Sequence, residues 1–135
     1  MIYITGIHAL NLPCSLETCG DWHQSGIQWD KPNFRESTTS FFQDYGIEPN
    51  HRIPEHEGVY NVANTIRAIL DLLFEKNFPT AQGMNKDFIC NPKYDKEVFI
   101  YVSKMKCLDY WKEIDDFMER EYKIKWVNFK RGNYV

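Results

Sequence analysis

Residues 59–74, VYNVANTIRAILDLLF, constrain the fold more than any other part of the chain. Val59, Val62, Ala63, Ile66, Ile69, Leu70, Leu73 and Phe74 recur at the spacing of one helical face, which predicts a helix over 59–75. Asn77 and Pro79 stop it. Asn64, Arg67 and Asp71 fall together on another face. They form either a solvated polar face or a strip suited to specific hydrogen bonds, since Asn, Arg and Asp are short or forked polar groups. The 135 residues suit one domain, and 43% hydrophobic with 16% aromatic residues supply a core to cover the apolar face.

The first half reads differently. Residues 2–5, IYIT, are β-branched and aromatic and predict a first strand. GIQW at 26–29 has the composition of a second short strand, and the Ser/Thr-rich centre of FRESTTSFFQDYGI suits a turn. After the central helix, a second is predicted over 95–106 with Asp95 as its cap, and a third over 110–121 with Asp109 as its cap. The third buries Trp111, Ile114, Phe117 and Met118 and turns an acidic face outward. YKIKWVNFK at 122–130 reads as a half-buried strand or as that helix's tail. The fold expected is α+β: a single domain over 1–135, with three helices, a small sheet and an irregular N-terminal half.

No apolar run approaches the roughly 20 residues of a membrane span, and no signal-peptide pattern opens the chain. The expectation is a cytoplasmic protein whose four cysteines are thiols or metal ligands. A net charge of −3 argues against nucleic acid as the primary partner. The basic, aromatic tail (Lys123, Lys125, Lys130 and Arg131 among Trp126, Phe129 and Tyr134) keeps single-stranded nucleic acid open locally, against a solvated tail.

Chemistry-bearing residues crowd into HALNLPCSLETCGDWH, residues 8–23. His8, Cys14, Cys19 and His23 are a valid tetrahedral set for zinc, but the cysteines sit inside the histidines in an order unlike zinc knuckles. No metal is expected, with zinc on those four as the alternative. Covalent catalysis would pair Cys14 or Cys19 with His8 or His23 and orient the imidazole through Asp21. His23 and Asp21 alone could do acid–base work. A third reading is structural: a tight loop with Asp21 in a turn and Trp22 buried as its anchor. A second cluster, HRIPEHEG at 51–58, holds His51, Arg52, Glu55, His56 and Glu57 just ahead of the predicted helix, as an exposed polar loop or the other half of a site.

The opening YITGIHALNLPCSLETCGDWH resembles the N-terminus of small bacterial proteins carrying an "ALN-P…GDWH" signature, with looser likeness in NVANTIRAILDLL and AQGMNKDFIC. That family is associated with defence and toxin–antitoxin loci, including those of nucleotidyltransferase-type toxins. The resemblance implies a partner protein or a role set by gene neighbourhood, with no catalytic residues to carry over.

The reading is a binding or regulatory module, antitoxin-like, whose partner is another protein. Its binding residues would be Asp21, His23, Asn64, Arg67 and Asp71. Trp22 would dock on the central helix and bring His23 to Arg67 or Asp71, making a surface that holds an anionic group. The alternative is a small enzyme acting on an anionic substrate, with His8, Asp21, His23 and Arg67 as its catalytic candidates.

Overall fold

The computed structural model describes residues 1–132. All four strands lie in the first half: β1 (Ile2–Ile4), β2 (Phe34–Glu36), β3 (Ile47–His51) and β4 (Tyr60–Ala63). Their order in the sheet is β2-β1-β4-β3. β2 runs antiparallel to β1, with Ile2 opposite Glu36 and Ile4 opposite Phe34. β4 lies parallel to β1 through Ile4 and Val62, and β3 closes the other edge antiparallel to β4. The mixed sheet and its helices give the α+β fold read from the sequence.

Six α-helical segments, not three, occur among the described residues: α1 (Gly6–Leu10), α2 (Thr65–Phe74), α3 (Phe78–Ala81), α4 (Asp95–Ser103), α5 (Trp111–Tyr122) and α6 (Ile124–Lys130). A π-helical segment, Met84–Ile89, and short 3-10 turns link them. The extra segments are four to seven residues long, too short to repeat an apolar period. The central helix also begins later than its periodicity suggests. Residues 60–63 are strand β4, and Asn64 caps α2 by accepting the Arg67 N–H at 2.9 Å. Val62 and Ala63 are both buried in the strand, where successive side chains point to opposite faces, and they extend the helical pattern by coincidence.

Other expectations change in detail. Residues 26–29 form no strand: Gln24–Gly26 is a 3-10 turn, and Trp29 beyond it is buried with its indole N–H on the Gln24 carbonyl at 3.0 Å. Neither Asp95 nor Asp109 is the N-cap of its helix. Tyr94 and Tyr110 stand at the two N-cap positions, and Asp95 is instead buried and paired with Lys125 at 3.2 Å. Residues 122–130 are neither strand nor helix tail. Lys123, at φ +56°, breaks the chain between α5 and α6.

The core spans both halves, from Tyr3 and Ile4 through Ile66, Ile69 and Leu73 to Phe99, Phe117 and Trp126. No described helix is long and apolar enough to cross a membrane.

Candidate functional site

The polar strip on α2 is interior. Arg67 is wholly buried, and Asn64 and Asp71 are each 8% exposed. The Arg67 guanidinium pairs with Asp71 at 2.9 Å and donates to the Gln43 and Tyr45 carbonyls at 2.6 Å and to the Tyr3 hydroxyl at 2.8 Å. The Tyr3 and Thr5 hydroxyls donate to Asp71 at 2.6 and 2.7 Å. Burial, and then the Asp71 carboxylate, push the Tyr3 phenol up to about 12. The loop supplying the two carbonyls can lie on Arg67 because Gly46 has no side chain: a Cβ there would stand 2.7 Å from the Arg67 Cβ, at a φ of +72°. This is a closed network joining α2 to β1 and the 43–46 loop. It is not a surface that holds an anion, and the hydrogen bonds of Arg67 and Asp71 go to Tyr3, Thr5, Gln43, Tyr45 and each other rather than to His23.

The loop of residues 11–26 is where side chains and solvent meet. Trp22 is 82% exposed, so it does not anchor the loop; Trp29, 2% exposed, is the buried indole of this region. The anchor is Asn11, at the end of α1. Its amide donates to the Ile7 carbonyl at 2.9 Å and to Asp21 at 3.0 Å, its side-chain oxygen accepts the His23 N–H at 2.6 Å, and its carbonyl accepts from Gln24 at 3.1 Å. The Asp21 N–H donates to Leu10, and the Cys19 and Gly20 N–H groups both donate to the Phe88 carbonyl. Gly20 is required at its position, since at φ +74° a Cβ would meet the Leu10 carbonyl oxygen at 2.9 Å. A Cys19–Cys90 disulfide fixes the same point.

The disulfide corrects the expectation of four thiols. It also removes Cys19 as a thiolate, and with it the zinc set of His8, Cys14, Cys19 and His23. Among the described residues no group of three or more His, Cys, Asp or Glu gathers as a metal site would. Disulfides are rare in reducing compartments, so the pairing weighs against a cytoplasmic setting. Cys14 is a free thiol beside the Thr18 and Thr65 hydroxyls at 3.6 and 3.5 Å.

Asp21 and His23 do come together. His23 Nδ1 lies 2.7 Å from the Asp21 carboxylate, and its ring is 76% exposed. Hydrogen bonding to Asp21 holds the imidazole above its ordinary 6.5. The backbone between them is strained: Trp22 sits at φ +65°, a region a bulky residue enters only when its surroundings force it. Beneath this loop lies a cavity of about 540 Å³, walled by residues 10–14, 18–22, 24 and 25.

His8 stands elsewhere. Its Nδ1 accepts the Asn33 N–H at 3.2 Å, so Nε2 carries the proton and donates to the Gln28 carbonyl at 2.9 Å; the ring packs edge-on against Trp29. The 51–58 cluster starts on the last residue of β3 and runs through the β3–β4 connection rather than to a helix start. His51 pairs with Glu48 at 3.0 Å, and His56 donates to the Trp29 carbonyl at 2.7 Å. In the basic tail Trp126 is buried, and Lys125 and Lys130 are paired with Asp95 and Asp115; Tyr134 lies outside the described residues. The acidic face of α5 is largely engaged too, with Glu113 on Lys76, Asp116 on Lys112 and Glu121 on the Gly83 and Asn85 N–H groups.

Sequence reasoning missed Asn11 and Trp29. Asn11 had a signal: an Asn that ends a helical stretch two residues before a proline, within the ALN-P motif. No family model matches the sequence, and no curated protein or solved structure is significantly similar to it.

Proposed function

We propose that the chain is a binding module that holds another protein through Trp22 and Asp21, which line the 540 Å³ cavity, and through the exposed His23 paired with Asp21. The exposed, left-handed Trp22 carries the reading. An indole held in water, in a strained conformation, on a loop fixed from three directions costs stability and gives the isolated fold nothing in return. Tryptophan is also the side chain most enriched among residues that dominate interface energies. The resemblance of residues 3–23 to proteins at defence and toxin–antitoxin loci supplies a setting, in which the module acts as the antitoxin-like member of a pair. Asn64, Arg67 and Asp71, closed inside the fold, have no part in this surface.

The test is Trp22→Ala. Trp22 is exposed, so the variant should unfold within about 1 kcal/mol of the parent. Tagged parent and variant are then used for capture from the source cells. A partner enriched by the parent and lost from the folded variant supports the reading, and equal recovery by both overturns it.

One observation favours a second reading. His23 bonds Asp21 through Nδ1 and its ring is mostly exposed, which leaves Nε2 toward solvent, as an acid–base histidine requires. An enzyme built on it would work without Arg67, and so without the cation that an anionic substrate was expected to meet.

A further inference from the structure

The charges around the cavity identify what enters it. This step rests on the binding-module reading and names the group recognised. Among the lining residues Asp21 is the one carboxylate, and no lysine or arginine joins it. The Cys14 thiol also lines the cavity, and His23, outside the lining, is held by Asp21. An anion entering here would meet the Asp21 carboxylate and no lysine or arginine; His23, held by Asp21, is the one cationic group beside it.

Asp21 has capacity left. Asn11 occupies one carboxylate oxygen and His23 the other, one donor each. A carboxylate accepts about four hydrogen bonds, so each oxygen keeps a free lone pair. The side chain is only 15% exposed, which limits competition from water. Pro13, which is exposed, and Leu12 beside it give the cavity an apolar wall, which methylene groups can cover. At the rim the Trp22 indole stands free, and an indole face attracts a guanidinium or ammonium group.

We infer that the cavity receives a basic side chain of the partner protein, arginine or lysine, with its stem on the Leu12–Pro13 wall and its cationic head between Trp22 and Asp21. A carboxylate, an aromatic ring and an aliphatic wall within one cavity form the minimal receptor for such a side chain. This reverses the expectation from the sequence, which had placed an anionic group beside Arg67.

The experiment follows the indole N–H resonance of Trp22, assigned through Trp22→Ala, while the full-length oxidised protein is titrated with blocked pentapeptides. Their central residue is arginine, lysine, norleucine or glutamate. Arginine and lysine peptides should shift the resonance, and norleucine and glutamate peptides should not. Asp21→Asn keeps the size of the side chain, and a thermal melt checks its fold. In it, affinity for the arginine peptide should fall about tenfold, the loss of one charge-assisted contact. Equal response to norleucine or glutamate, or unchanged affinity in a folded Asp21→Asn variant, overturns the inference. So does absence of any response to arginine and lysine peptides at millimolar concentration. These outcomes separate from failure of the module reading: a partner that depends on Trp22 but ignores basic peptides leaves the module intact and removes only the ligand class.

Discussion

At the scale of single residues, the same side-chain types occupy opposite situations. Arg67 and Asp71 are sealed and mutually satisfied, while Asp21 lines a cavity and its partner His23 is exposed. Removing one partner of a buried pair strands the other's charge, so Arg67→Ala should destabilise by about 3–5 kcal/mol. Chemical denaturation measures this, and loss of less than about 1 kcal/mol would place Arg67 at the surface. The open pair makes a different prediction, about protons. The His23 value is raised by its hydrogen bond to Asp21, so an NMR titration should place its midpoint above 6.5, and Asp21→Asn should return it toward 6.5. The raised value means the folded state binds the proton more tightly than the unfolded chain. The resulting stabilisation is complete below about pH 6.5 and is lost as pH rises through the folded midpoint. The ring is mostly exposed, so this acts on the loop more than on global stability. A midpoint of 6.5 or below in the parent would show that the Asp21 contact is not held in solution.

At the scale of elements, the junction of β4 and α2 decides how the sequence is to be read. Asn64 was a candidate binding residue and is the helix cap. Asn64→Ala should therefore cost about 1 kcal/mol, the usual worth of a side-chain cap, and should leave partner capture unchanged. Loss of capture in a folded variant would return Asn64 to the site. Periodicity made α2, α4 and α5 legible because each is long enough to repeat an apolar face. It misplaced the start of α2 because Val62 and Ala63, both buried in a strand, fall in phase with the helix. It could not find α1, α3 or α6, whose lengths are five, four and seven residues. Part of the site was legible as well. The proximity of Asp21 and His23 follows from their spacing, but which tryptophan is buried depends on packing that neither Trp22 nor Trp29 declares locally. Nor does spacing reveal that Cys19 finds Cys90, 71 residues away.

At the scale of the whole molecule, that bond joins two parts of unlike construction. The sheet is complete by residue 63, and from Phe78 onward the described chain is helical segments and their connections. Around the Cys19–Cys90 bridge the parts are stitched closely. Phe88 accepts from Cys19 and Gly20, the Glu17 N–H donates to the Tyr94 hydroxyl at 2.9 Å, Asn91 donates to the Glu17 carbonyl at 2.9 Å, and Lys93 pairs with the Glu17 carboxylate. The seam runs directly into Gly20, Asp21 and Trp22, so the loop proposed to bind a partner is held by the link between the two parts. Closing so long a loop stabilises mainly by restricting the unfolded chain, and Cys19→Ser with Cys90→Ser should lower stability by about 2–5 kcal/mol. The larger consequence is local. With the bridge gone, hydrogen exchange should quicken in residues 17–23 and 88–94 while α5 keeps its protection. Affinity for the partner should fall even where the fold survives, because Trp22 then has to be ordered on binding. Exchange and capture are both read on the oxidised parent and on the double variant at a temperature where the variant remains folded. Unchanged exchange in residues 17–23 would show that Asn11 alone holds the loop. Faster exchange with undiminished capture would show that the partner orders the loop at no net loss of affinity.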